Sequence, residues 1–100
     1  MATPSAIVPR GGTPQLKCTV MAVPPANNSE IVRIFPDETE EVLANVTNPD
    51  GERELRLRHV LEGVRFPEDD GAIFECRAIN ANGEAVERVR ITVQGELYIE

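Results

Sequence analysis

The chain has 100 residues, 41% of them hydrophobic, with 4% aromatic residues, no tryptophan and a formal charge of −7. One domain fits this length, burying roughly two-thirds of the surface its unfolded chain exposes. The acidic balance argues against a nucleic-acid or anionic-membrane binder, since either needs a dominant positive field. No apolar run is long enough to span a bilayer, and no secretory n-region and h-region follow Met1.

Eight prolines and seven glycines are scattered along the chain, a pattern of many turns between short elements. Ala6 to Val8 reads as an edge strand, ended by Arg10-Gly11-Gly12-Thr13-Pro14. Gln15 to Met21 alternates, with Leu16, Cys18 and Val20 on the core side and Lys17, Thr19 and Met21 on the other. Val23 to Ser29 is a loop by composition, and Glu30 to Phe35 returns to strand before Pro36-Asp37 stops it. Glu41 to Thr47 is a weaker strand, and Asn48-Pro49-Asp50-Gly51 a strong turn. Arg53 to Val60 places Leu55 and Leu57 inward and Arg56 and Arg58 outward. In Val60 to Asp69, Leu61, Val64 and Phe66 either extend that strand through a bulge or pack a loop. Ala72 to Ile79 and Ala85 to Val93 form a hairpin about Asn82-Gly83, a pair tolerant of positive φ. Seven to eight short strands at this spacing predict an all-β, two-sheet antiparallel sandwich.

The segment Asp70–Gly83, DGAIFECRAINANG, carries the most specific signal, 58 positions after the only other cysteine, Cys18. Asp70, Ala72, Phe74, Cys76, Ala78, Asn80 and Gly83 fill, in register, a pattern that resembles the F strand of immunoglobulin domains of the I-set (C2/I) type. The resemblance covers about residues 5 to 95, is specific over Asp70–Gly83 and looser elsewhere. It implies an immunoglobulin-like sandwich, with residues 1–4 as linker or expression-derived residues and 96–100 as linker or tail. Two departures are plain: the strand-C tryptophan is absent, with Ile34 the best candidate for its slot, and the corner tyrosine is Phe74.

The resemblance implies a Cys18–Cys76 bridge between facing strands; the competing reading keeps both thiols reduced, packed as small apolar groups. Asn27-Asn28-Ser29 and Asn45-Val46-Thr47 are acceptor triplets for N-glycans, in loop or edge positions, and favour an extracellular or cell-surface origin over a cytoplasmic one.

Catalysis has little to stand on. His59 is the sole histidine, expected to point inward, or to lie near the rim if the strand bulges, and to bond to backbone. Glu68-Asp69-Asp70 has three readings: a cation cluster, a loop-stabilising acid at Asp70, or a solvated acidic loop. Ordered calcium ligation needs six or more oxygens, and zinc four ligands of a kind two Cys and one His do not supply. No catalytic residue, metal or cofactor is expected.

Alternation places Glu75, Arg77 and Ile79 outward on one strand and Arg88, Arg90 and Thr92 outward on the next. With Val32 and Ile34 inward, Ile31, Arg33 and Phe35 also face out. The expected partner face is then Arg33, Phe35, Arg77, Ile79, Arg88 and Arg90, suited to an acidic protein surface, a second copy or another cell-surface ectodomain among them. The competing reading pairs these arginines with Glu75, Glu87 and other acids across strands. The functional expectation is a non-catalytic recognition or spacer module excised from a multidomain extracellular adhesion or receptor protein. The alternative is a structural domain of an intracellular cytoskeletal or muscle filament protein.

Overall fold

The computed structural model describes residues 5–94. The expected linker segments 1–4 and 96–100 lie outside the described residues. Within them are seven strands: β1 (Ser5–Pro9), β2 (Gln15–Met21), β3 (Asn28–Ile34), β4 (Glu40–Thr47), β5 (Glu54–Val60), β6 (Ile73–Asn80) and β7 (Gly83–Gln94). Five form one sheet in the order β1-β7-β6-β3-β4, and β2 and β5 form the other. All pairings are antiparallel except β1 with β7, which is parallel.

The period-2 patterns put the core where they should. Along β2 and β5, Cys18, Leu55 and Leu57 are buried while Lys17, Thr19, Arg56 and Arg58 are exposed. One half of the core gathers Cys18, Ala26, Ile31, Leu55 and Leu57, with Cys76 packed against it. The other half gathers Val8, Val64, Ala72, Phe74, Ile91 and Val93. Leu16 and Leu43 touch both halves and join them into one interior. The Cys18–Cys76 disulfide crosses between the sheets, with Cα atoms 6.3 Å apart.

Strand β3 runs in the opposite phase to the expectation. Ser29, Ile31 and Arg33 stand opposite the inward residues Ala78, Cys76 and Phe74. Ile31, not Ile34, therefore fills the place beside the disulfide. The apolar run Ile31-Val32-Arg33-Ile34-Phe35 supports either phase by hydrophobicity alone, and the inward choice is made by pairing with β6. Val32 is nonetheless fully covered, set between Glu75 and Val42 on the outward side. A bulge on β4 accompanies this: Ile31 faces Ala44 and Val32 faces Val42, leaving Leu43 as the extra residue, turned to the core.

The last hairpin turns one residue earlier than expected. Ala81 and Asn82 form the loop, Asn80 pairs with Gly83, and the positive φ belongs to Gly83 (141°). The Asn82 N–H donates to Asn80 Oδ1 at 2.8 Å, a local turn that sets the geometry. Between Val60 and Asp69 the chain packs as a loop. Val64 is buried, Leu61 leans on the core, and Phe66 stays at the surface beneath the Arg10 guanidinium.

Candidate functional site

The outward side of the five-stranded sheet can be laid out row by row from the strand registers. Arg90, Ile73, Ile34 and Glu40 make the first row; Arg88, Glu75, Val32 and Val42 the second. Val86, Arg77, Glu30 and Asn45 make the third; Glu84, Ile79, Asn28 and Thr47 the fourth. Arg77, Ile79, Arg88 and Arg90 thus share a face, as alternation predicted.

The charges of Arg77 and Arg88 are met on the sheet itself, whereas Arg90 has no carboxylate partner among the described residues. Arg77 Nε donates to Glu75 Oε1 at 2.9 Å, and its Nη1 donates to Glu40 Oε1 at 3.0 Å, with Glu30 at 3.8 Å. Arg88 Nε donates to Glu75 Oε2 at 2.9 Å. Glu75, with both oxygens occupied, is the centre of a four-residue ladder, Glu40–Arg77–Glu75–Arg88. Burial on its own pushes the Glu75 carboxyl upward; the hydrogen bonds from Arg88 and Arg77, then their charges, outweigh it and hold it below the ordinary value. The hydrogen bond from Arg77 likewise lowers Glu40, and Glu40 and then Glu75 hold Arg77 more firmly protonated than usual. Glu87, the other acid considered for this pairing, stands opposite Cys76 on the inward side of β7. Around the ladder Val42, Val86 and Ile79 are exposed at 55%, 49% and 41%. The face is a charge-matched platform edged by apolar side chains, not a positive patch.

Arg33 and Phe35 are not part of it. Arg33 turns inward, its Nη2 3.2 Å from Asp69 Oδ1 and its guanidinium 4.9 Å and 5.7 Å from the Phe35 and Phe74 ring centroids. Its Nε is buried and has no hydrogen-bond partner among the described residues. These side chains, with Leu43, His59 and Leu61, line a cleft of about 590 Å³ at the open margin between the sheets. His59 is half-buried there, and its imidazole has no hydrogen-bond partner among the described residues, contrary to the backbone bond expected of it.

Two acids of the Glu68-Asp69-Asp70 run are committed to the fold, and Glu68 is exposed. Asp69 Oδ2 accepts the Arg65 N–H at 2.7 Å and pairs with Arg33 and Arg65, while Asp70 Oδ1 accepts the Val93 N–H at 3.0 Å. Burial raises Asp69, but the Arg65 N–H and then the Arg33 contact bring it below the ordinary carboxylate value. Of the acceptor asparagines, Asn27 is exposed at the loop before β3, and Asn45 is exposed on edge strand β4, on the same face as Arg77.

Sequence reasoning missed Glu30, Glu40, Val42 and Val86 as members of this face. Their signal lies in cross-strand register, which one strand read alone does not contain.

The site is thus a sheet surface on a two-layer β-sandwich pinned by one inter-sheet disulfide. No protein-family model and no curated protein matches the chain. Solved structures do. The second Ig domain of the mouse polymeric immunoglobulin receptor is 9% identical, with a TM-score of 0.65 over 96% of this chain and 100% of that one. A VGSC beta-subunit structure, from work on multimeric cell-adhesive interactions, is 14% identical, with a TM-score of 0.68 over 94% and 93%. A complex of titin M10 with an obscurin like 1 Ig domain gives 28% identity and a TM-score of 0.54 over 96% and 92%. The chain has the fold of an immunoglobulin domain.

Proposed function

We propose that the chain is a non-catalytic, I-set-like recognition or spacer module of a multidomain extracellular adhesion or receptor protein, and that it meets its partner through the outward side of the five-stranded sheet. The observation that carries this reading is the platform itself. Exposed Val42, Ile79 and Val86 surround a ladder whose arginines are already held in place, so docking there orders few side chains. Neighbours whose structures concern cell-adhesive interaction and a complex with another Ig domain support protein binding as the role. The inter-sheet disulfide supports an oxidising compartment. The filament reading draws its support from the titin complex, the highest in identity of the three.

Secretion from a eukaryotic host, followed by intact mass with and without reductant, separates the two. The extracellular reading expects an oxidised cysteine pair and glycan on Asn27 or Asn45; two free thiols and bare asparagines favour the filament. Asn45 stands opposite Glu30, with Arg77 one strand further in, so a glycan there and a partner docked on the β4 margin of the face exclude one another. Screening cell-surface ectodomains with Ile79→Asp and Val86→Asp variants tests the face: binding that survives both substitutions overturns it.

A further inference from the structure

The smaller sheet carries a feature its own stability does not explain. On its outward side Lys17 stands directly opposite Arg58, and Thr19 opposite Arg56. Like charges directly opposed across an antiparallel pair are destabilising. Arg56 has Glu54 at 3.2 Å. Lys17 and Arg58 have no carboxylate partner among the described residues, although the protein is acidic overall.

Beside this pair lies a strand edge with no pairing strand among the described residues. Among the described residues β2 pairs only with β5, so the other side of Gln15–Met21 presents unpaired backbone donors and acceptors. A cleft of about 410 Å³ runs along that edge between the sheets, lined by Leu16, Cys18, Phe74, Cys76 and Val89, with Glu87 at its rim. A strand added there would send alternate side chains into this largely apolar cleft and the intervening ones outward beside Lys17, with Arg58 behind it.

We infer that the edge of β2 away from β5 is a docking site for an extended segment of a partner protein in which apolar and acidic residues alternate. Backbone pairing supplies the register, the cleft takes the apolar residues, and Lys17 and Arg58 take the carboxylates. The inference rests on reading the chain as a recognition module but uses the opposite sheet from the platform.

A fluorescein-labelled octapeptide of alternating valine and glutamate is the probe. It is expected to bind the intact domain with an affinity that falls as salt rises, and to protect the Gln15–Met21 amides from hydrogen exchange. Lys17→Glu and Arg58→Glu, each made singly, convert the repulsive pair into an attractive one. Each should therefore raise the melting temperature by a few degrees while weakening the peptide about tenfold or more. A peptide N-methylated on the amides facing β2 should not bind. Retained affinity in either charge variant, equal binding of the N-methylated peptide, or no binding of the parent peptide overturns the inference. Binding of a heparin octasaccharide in place of the peptide overturns it in favour of a glycan polyanion. Self-association lost in Lys17→Glu overturns it in favour of a second copy. Ile79→Asp should leave the peptide unaffected, so failure here and failure of the platform are read separately.

Discussion

Glu75 is only 6% exposed on the outward side of its sheet, because Arg88 from the neighbouring strand reaches across it, Nε to Oε2 at 2.9 Å. The carboxylate has traded water for two guanidinium groups, and the exchange holds only while it is ionised. A depressed folded-state value means the stabilisation is complete above the unfolded value, near 4.5, and is lost as pH falls through the lower, folded one. At neutral pH, Glu75→Gln should cost about 1.5 kcal/mol, moderated by the half-exposed Arg88. Melting followed from neutral to acid pH should show the wild type and the variant converging below the carboxylate range. Parallel curves at every pH would show that the ladder contributes nothing through its charge.

Ile31 is 3% exposed and stands opposite Cys76, whereas Ile34 lies on the outward side at the strand end, half-buried. Ile31→Ala should therefore cost about 3 kcal/mol, the sum of lost transfer energy and a cavity beside the disulfide. Ile34→Ala should cost no more than about 1 kcal/mol. Denaturant midpoints for the two variants check the phase of β3 directly. Equal losses, or a larger one at Ile34, would restore the opposite phase.

That phase marks the limit of what single-strand patterns contain. The alternations Leu16-Cys18-Val20, Leu55-Leu57 and Phe74-Cys76-Ala78 each have one apolar side that suits the core, and they were legible as strands with a facing direction. In β3 and the residue after it, positions 31, 32, 34 and 35 are all apolar, so hydrophobicity does not choose a side, and Arg33 faces inward because Asp69, Phe35 and Phe74 receive it there. The bulge at Leu43 and the ladder through Glu30 and Glu40 arise from pairing between distant segments. So does the placement of β4 beside β3 instead of β5, which leaves the smaller sheet with two strands.

The Cys18–Cys76 bridge closes a loop of 58 positions. Constraining the unfolded chain to this extent stabilises the fold by about 4 kcal/mol in the chain-entropy account, a large share of what a domain of this size commands. Cys18→Ala with Cys76→Ala should lower the denaturant midpoint accordingly. Reductant should shift the wild type toward the variant while leaving the variant itself unmoved. A wild type whose midpoint is indifferent to reductant would show that packing, not the cross-link, holds the two sheets together.

Glu38, in the turn between β3 and β4, has φ of 71°, in the left-handed region where a side chain is strained. The turn imposes this: the Glu38 N–H donates to Phe35 O at 2.9 Å, the Phe35 N–H donates to Thr39 O at 2.9 Å, and Asp37 Oδ1 accepts from the Thr39 N–H and hydroxyl. Replacement by glycine relieves the strain at the expense of a more disordered unfolded chain, so Glu38→Gly should gain about 0.5–1 kcal/mol. Gly63 offers the reverse test, since its φ is 61° and an added Cβ would meet nothing within 4 Å. Gly63→Ala should lose about 1 kcal/mol from backbone strain alone. Thermal melts of the two variants should therefore move in opposite directions. Movement of both in the same direction would mean that the left-handed backbone at one of these turns is not what sets its contribution to stability.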